Sequence, residues 1–429
     1  MEPKVQVGRT AFSNALAFAL SRTWLSSRER IRRVLRHMLG RFPNWCESLA
    51  ESLHEQYAGE EYADQIDLRK FLRRSTIVRN VFRKGRALRV RREFLDRSTA
   101  FRWDVPKASN EFQLQDMLCL KSPAALDWLV KPHIVRNTEV DHYRRTPIRK
   151  GNGETRWIEQ PLPLMKRVQR TIAQHVLPAI TLHSAAHGFV PGRSIFTAAG
   201  YHSGKRLVLC MDLADFFGSI DRSRTSALFR LCGYPAKVAF LLACICTAPS
   251  LGESEFVDRA ALTTSHLPQG APTSPGIANA IAFRLDQRLA GLAQSVGADY
   301  TRYADDLTFS GDDRFVGAAS RVIPLVAAIA MEEGFAVNYR KTRRMYAGHR
   351  QSVLGLTVND SPSASRHEFE TLKALLYNCV RLGPASQNLE NIPNFPEHLR
   401  GRIQFVGTTK PNWKAKLLRL YESIRWPAE

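Results

Sequence analysis

The chain has 429 residues, 44% hydrophobic and 24% charged, a globular composition that excludes wholesale disorder and leaves room for two or three domains. Lys and Arg number 62 against 40 Asp and Glu, and the resulting charge of +22 repels itself unless a polyanion neutralises it. Nucleic acid is the expected partner and an anionic membrane the rival, which recedes because no stretch approaches the ~20 apolar residues of a spanning helix. In chain order, Ala11–Leu20 reads as a helix rather than a leader, since Ser13 and Asn14 interrupt it and an Arg-rich stretch follows. Ser26-Ser27 before RERIRRVLRHML and Gly40 after it predict a second helix, and Asn44 starts a third that runs toward Gly59. Arg69, Lys70, Arg73, Arg74, Arg79, Arg83, Lys84, Arg86, Arg89, Arg91 and Arg92 follow with no acid between them, and apolar residues interleave at helical spacing. So one-sided a run predicts phosphate binding rather than a face laced with ion pairs. Composition changes at Trp103–Asn110, and a short helix is expected from Ser122-Pro123 through Val130.

From residue 143 to 360 strand-like and helical runs alternate. Leu207–Asp212, Tyr300–Tyr303 and Leu307–Ser310 read as strands; Ile277–Leu292 and Ala318–Gly334 read as helices. This order predicts an α+β domain with an antiparallel sheet packed by helices on one face. Helices over Arg366–Leu382 and Trp413–Ile424 make a basic C-terminal unit. The expected domains are a helical extension over 1–110, a central domain over 111–360 and a helical unit over 361–429. The seven cysteines are scattered, with only Cys244 and Cys246 close together, and read as buried thiols of a reducing cytosol.

Tyr303-Ala304-Asp305-Asp306 lies between two apolar runs, which predicts a hairpin with two acids at its tip. Adjacent like charges on a tight turn call for a cation, and a divalent one is the obvious choice. Asp212 ends the apolar run LVLCM. If that strand lies beside the hairpin, three carboxylates converge on the chemistry of nucleotidyl transfer, with two Mg²⁺ ions between them. Asp215, Asp221, Asp286, Asp312 and Asp313 read as caps or solvated turns, and His187 and His202 as structural histidines.

MDLADFFGSI, LPQGAPTSPGIANA, TRYADDLTFSG, NYRKT and SVLGLTVN resemble, in order and spacing, the successive palm motifs of a reverse transcriptase. RKGNGETRWIEQP and LMKRVQRTI resemble its fingers motifs. HGFVPGRSI and LPQGAPTSP are most similar to the bacterial retron enzymes, and the basic extension to the myxobacterial ones. The resemblance implies a right-hand polymerase fold of fingers, palm and helical thumb, and it implies roles by position. Asp212, Asp305 and Asp306 would be the metal ligands, and Lys341 the acid that protonates pyrophosphate. Phe217 would be the steric gate against a 2′-hydroxyl, with Phe216 turned into the core. Leu213, Gln269, Gly270 and Asn279 would line the nucleotide site, and Arg149 or Lys150, with Arg156, would clamp the triphosphate. Leu354–Val358 would be the primer grip. Two positions depart from the retron pattern: Ala198 stands where Asn is common, and Val353-Leu354-Gly355 where Val-Thr-Gly is common.

The expected function is therefore a Mg²⁺-dependent RNA-directed DNA polymerase of the bacterial cytoplasm. It would use dNTPs to copy part of a cognate structured non-coding RNA, primed from an RNA 2′-OH, into DNA that stays attached as a branched hybrid. The resemblance also implies anti-phage defence with a separate effector protein. Competing readings are another bacterial defence polymerase with different priming and a non-catalytic RNA scaffold. The complete set of carboxylates disfavours the scaffold.

Overall fold

The computed structural model of the chain describes residues 4–20, 25, 27–57, 63, 65–91, 103–134, 141–149, 155–249 and 265–426. Among them, strand β1 (Lys4–Val7) is followed by helices α1 (Arg9–Leu20), α2 (Arg28–Leu39), α3 (Asn44–Gln56), α4 (Gln65–Arg74) and α5 (Thr76–Val81) and by strand β2 (Leu88–Arg91). Next come α6 (Glu111–Met117), α7 (Pro123–Ile134), β3 (Tyr143–Arg149), β4 (Thr155–Pro161), α8 (Pro163–His175), α9 (Ile195–Gly200), β5 (Leu207–Ala214), α10 (Arg222–Cys232) and α11 (Ala236–Cys246). The chain continues with α12 (Ser274–Ile281), α13 (Phe283–Ser295), β6 (Ala298–Tyr303), β7 (Asp306–Gly311), α14 (Asp313–Glu332), β8 (Ala336–Val337), β9 (Arg343–Tyr346), β10 (Ser352–Val353) and β11 (Leu356–Thr357). It closes with α15 (Arg366–Leu382), α16 (Phe395–Gly407) and α17 (Pro411–Glu422). These elements fall into two units: the described residues of 1–180, 221–258 and 262–273, and those of 181–220, 259–261 and 274–429.

In the first unit, residues 7–90 bury a core of their own around Phe12, Leu16, Leu35, Leu49 and Leu72. Helix α2 buries Ile31, Leu35, Met38 and Leu39 on one stripe, and Gly40 ends it in the left-handed conformation at φ 66°, as its sequence predicts. The basic run is not helical throughout. It begins in α4 and α5, but its last part is the strand β2, which pairs antiparallel with β1 so that Val90 faces Val5. Apolar residues two apart, Leu88 and Val90, satisfy a strand as well as a helix, and only the partner strand decides between them. Arg92 lies outside the described residues. The rest of the unit holds the β3–β4 hairpin, in register from Tyr143↔Pro161 to Arg149↔Thr155, with α8 packed on β4 and α11 on α8.

The second unit is built on a five-stranded antiparallel sheet. β5 is central; β7 and then β6 lie on one side of it, and β8 and β9 share its other side. α13 and α14 pack on this sheet and on each other. α14 is 20 residues long and apolar enough to cross a membrane, which the sequence reading did not anticipate. Its Phe315, Ala318, Val322 and Val326 are buried, and it packs on β7 and β8, so the apolarity serves the sheet. The C-terminal helices enclose a separate core around Leu372, Leu376, Leu399, Ile403 and Leu417. α16 was not anticipated, because Pro396 at its start and Gly401 within it weaken the helical signal. Five of the seven cysteines are buried, Cys210 is half-buried, and Cys119 is exposed, contrary to expectation.

Candidate active site

Strand β5 reads LVLCMDLA and is apolar because it is central and covered. Its register against β7 runs from Leu207↔Gly311 to Asp212↔Asp306, so these two acids stand directly opposite each other. β6 and β7 close on the pair Tyr303↔Asp306 with only Ala304 and Asp305 in the turn. Such a turn requires a left-handed residue, and Ala304 takes it at φ 55°. The Asp305 carbonyl accepts from the Leu213 amide at 2.9 Å, tying the turn back to β5. The three expected carboxylates are thus held by one register and one turn.

Their electrostatics fit a cation. Asp306 is exposed at the start of β7, and partial desolvation at the turn, together with the Asp305 and Asp212 charges, pushes its carboxyl up to about 6. Lys341 donates to Asp212 Oδ1 at 2.9 Å, and that bond raises its own pKa further. Among the described residues no three His, Cys, Asp or Glu side chains are gathered tightly enough to cage a metal. Lys341 is the positive charge paired with Asp212. The oxygen donor set suits a hard divalent cation, which would draw the carboxylates together and relieve the repulsion on Asp306.

Phe216 and Phe217 differ in burial. Phe216 is buried, stacked on Phe335 at 5.5 Å, while Phe217 is half-buried and meets Phe216 edge-on at 5.4 Å. Asp215, with φ 45°, begins the turn that reverses the chain here; its carbonyl accepts from Ser219 N at 2.8 Å. Leu213 departs from its expected role: its side chain is buried and its amide serves Asp305, so it supports the acids instead of lining a nucleotide site. Asn279 departs too. Its amide is buried, donating to the Gly188 carbonyl at 2.8 Å and accepting from Arg302 at 3.0 Å, which leaves its side chain committed to the protein. The β10–β11 hairpin that carries the expected primer grip turns at Leu354 and Gly355, with φ 51° and 83°. Its Val353 and Leu356 pack with Val208 of β5 and Ala199 of α9. Ala198, where the retron pattern has Asn, is wholly buried.

Sequence reasoning missed the ion pair beneath the turn. Arg302 and Asp286 are both fully buried, with Nε and Nη2 donating to the two carboxylate oxygens at 2.7 Å each. Asp286 is therefore not a cap. Burial of a charge demands a partner, and an Arg inside the strand ADYTRY opposite an Asp between Leu285 and Leu289 was the available signal. Arg302 Nη1 also donates to the Ala304 carbonyl at 3.0 Å. On the other side, a Cβ on Gly188 would lie 2.7 Å from the Ala304 amide, so HGFVPG needs its glycine to approach the turn. His202 bridges Ser310 and Thr301, 2.7 Å from each hydroxyl, and burial pushes its pKa down to about 3, in keeping with a structural role.

The expected nucleotide contacts at Arg149, Arg156, Gln269 and Gly270 belong to the first unit. Arg156 Nε donates to Gln269 Oε1 at 2.6 Å, and the Glu159 amide to the Gln269 carbonyl at 2.8 Å. Gly270, at φ 132°, leaves no room for a Cβ, which would fall 2.9 Å from the Glu159 carbonyl. Beneath this turn Glu159 is buried between Arg145 at 3.0 Å and His266 at 2.7 Å. Burial raises its pKa, but these two partners outweigh that and hold it below the usual range. Arg149 is exposed at the end of the hairpin, and Lys150 lies outside the described residues. In the basic run Arg73, Arg74, Arg79, Arg83, Arg86 and Arg89 are exposed and Arg69 is half-buried. Lys70 pairs with Asp67 at 3.1 Å. Two acids of α3 are engaged elsewhere: Glu47 with Arg28 and Arg32, and Glu51 with Arg28.

Residues 148–358 match the family model described as reverse transcriptase (RNA-dependent DNA polymerase). The chain is 40% identical over 287 residues to the Retron Mx65 reverse transcriptase of Myxococcus xanthus, a match covering 65% of this chain and 64% of that one. It is 30% identical to the Retron Ec86 reverse transcriptase of Escherichia coli, over 62% of this chain and 75% of the relative. It is also 30% identical to the Retron Ec73 reverse transcriptase of Escherichia coli, over 66% and 88%. The chain thus spans just under two thirds of the length of the Myxococcus relative. The antiparallel sheet with its acidic hairpin, together with the family match, makes the fold that of a right-hand polymerase.

Proposed function

Because this chain belongs to the retron reverse transcriptases, we propose that it is an RNA-directed DNA polymerase that copies part of a structured RNA bound to it. The observation that carries the reading is the pairing of Asp212 opposite Asp306, with Asp305 on the adjoining turn. A divalent cation, in our reading two Mg²⁺ ions held by these carboxylates, would supply the charge that acidifies the primer hydroxyl and neutralises the triphosphate. The chain's own residues do the rest. The primer hydroxyl gives up its proton to solvent, its oxygen forms a bond to the α-phosphorus of a dNTP, and the bond from that phosphorus to pyrophosphate breaks. Lys341, protonated and beside Asp212, donates its proton to the departing pyrophosphate. Arg156 and Arg149 or Lys150 clamp the triphosphate, and Phe217 excludes a 2′-hydroxyl. The exposed cations within the run from Arg69 to Arg89, Arg73, Arg74, Arg83, Arg86 and Arg89 among them, hold RNA phosphates.

The retron reading adds a self-primed start from an RNA 2′-OH, a branched RNA–DNA product, and anti-phage defence with an effector protein. A folded RNA that presents one hydroxyl to the three acids gains the proximity advantage of an intramolecular reaction. DNA co-purifying with the protein tests this. One dominant short species is expected, shifted but not destroyed by RNase and shifted again by an enzyme that cleaves 2′–5′ linkages. Heterogeneous DNA with free 5′ ends would contradict self-priming, and absence of dNTP incorporation by the intact complex would remove the polymerase reading.

A further inference from the structure

The Arg302 side chain touches two parts of the site at once. Four of its N–H groups are used: two on the Asp286 carboxylate, one on Asn279 Oδ1 and one on the Ala304 carbonyl next to Asp305. Its guanidinium also lies over the Phe216 ring, 5.5 Å from the centroid, and Phe216 is the ring against which Phe217 rests. Asp286 is held in turn by the Tyr300 hydroxyl at 2.9 Å. All of these partners belong to the second unit.

Stability alone gives no reason for such a pair. An apolar pair of similar volume is often as stable as a buried ion pair, or more so. An apolar pair, however, cannot provide two directed donors to Asn279 and Ala304 or a cationic face to Phe216. Lysine cannot either, being a point charge without a planar fork. What the arginine adds is a fixed distance between the acidic turn and the aromatic ring behind the gate.

We propose that the Arg302–Asp286 pair is a positioning device that sets the catalytic turn and the Phe217 gate together, and so determines sugar selection as well as rate. The inference rests on the nucleotidyl-transfer reading and assigns the two residues a role in substrate specificity. Tight coupling is expected because packed interiors transmit displacement instead of absorbing it.

The test is the ratio of kcat/KM for an rNTP to that for the matching dNTP, measured by primer extension on the RNA-bound protein. Both constants scale with the fraction of active enzyme, so their ratio does not respond to partial unfolding. Arg302→Lys, and Arg302→Met combined with Asp286→Asn, should raise the ratio roughly tenfold while lowering kcat for dNTP. The double variant removes both charges and leaves Tyr300 an acceptor, so no unpaired charge is buried. Asn279→Ala leaves the ion pair intact and removes one of its links; it should raise the ratio several-fold. Phe217→Ala is the control. If Phe217→Ala moves the ratio and the other variants leave it within twofold of wild type, the pair is merely structural and the inference is overturned while the polymerase reading stands. If Phe217→Ala does not move it, the gate reading fails and this inference fails with it. Should the ion-pair variants not fold, Asn279→Ala decides.

Discussion

Lys341 Nζ lies 2.9 Å from Asp212 Oδ1, joining a one-turn helix after β8 to the central strand of the sheet. The two residues are 129 positions apart, and the contact arises because β8 pairs with the end of β5 and delivers the following turn to its acid. An ammonium at that distance balances the charge of Asp212 and, in the proposed reaction, is a proton source.

Lys341→Ala should therefore lower kcat by about 100-fold or more, the range for loss of a positioned general acid, with little change in KM for dNTP. Lys341→Arg should keep the counter-charge but donate a proton poorly, and fall between the two. Single-turnover primer extension separates this effect from slow product release. A kcat within twofold of wild type for Lys341→Ala would return the residue to a purely electrostatic role.

Asp212→Asn, and Asp305→Asn combined with Asp306→Asn, should abolish incorporation while leaving the fold intact. Partial desolvation at the turn and the Asp305 and Asp212 charges already raise the carboxyl of the exposed Asp306 to about 6, so neutralising it relieves repulsion among the acids. The thermal midpoint of the double variant should equal or exceed that of wild type without divalent cations. Normal extension by a well-folded double variant would sink the assignment.

Phe217→Ala and Phe216→Ala should separate cleanly. The first opens space at the half-buried gate and raises rNTP use relative to dNTP, at small cost to folding. The second removes a buried ring stacked on Phe335 and should cost about 3–5 kcal/mol of stability. Chemical denaturation and rNTP/dNTP competition on both variants check the split.

Acid should weaken the second unit through His202. Burial holds its folded pKa near 3 against an unfolded value of 6.5, so between those pH values the unfolded chain binds a proton that the folded chain does not. Stability is then full above about 6.5 and falls as pH drops, by up to about 1.4 kcal/mol per pH unit from this group. His202→Asn should shallow the fall in urea midpoint between pH 7 and pH 5. An unchanged slope would mean that the imidazole is not held neutral.

Replacing Arg74, Arg83, Arg86 and Arg89 with Ala should flatten the slope of log K against log salt for RNA by about 3 units, if each neutralises one phosphate of a single strand. Filter binding across a salt series on the full chain measures it. A slope equal to that of wild type would make these arginines a solvated face.

The sequence alone determined the family chemistry, because that chemistry depends on local pattern. An apolar run ending in Asp212 and a four-residue acidic turn between two apolar runs each specify a strand end and a hairpin whatever surrounds them. The helix at Arg28–Leu39 was equally legible, since its cap and its periodicity lie within its own twelve residues. What only the tertiary structure decided was which residues support the acids. Leu213 and Asn279 were assigned to the nucleotide from position, but strand pairing turned the first toward Asp305 and helix packing turned the second toward Gly188 and Arg302. Asp286 passed for a cap and Leu88–Arg91 for a helix for the same reason: a buried ion pair and a strand pairing are properties of two distant segments. Residues 16 positions apart, such as Asp286 and Arg302, or 85 apart, such as Val5 and Val90, are not matched to each other by any local pattern; the fold supplies the partner, and burial makes that partner obligatory.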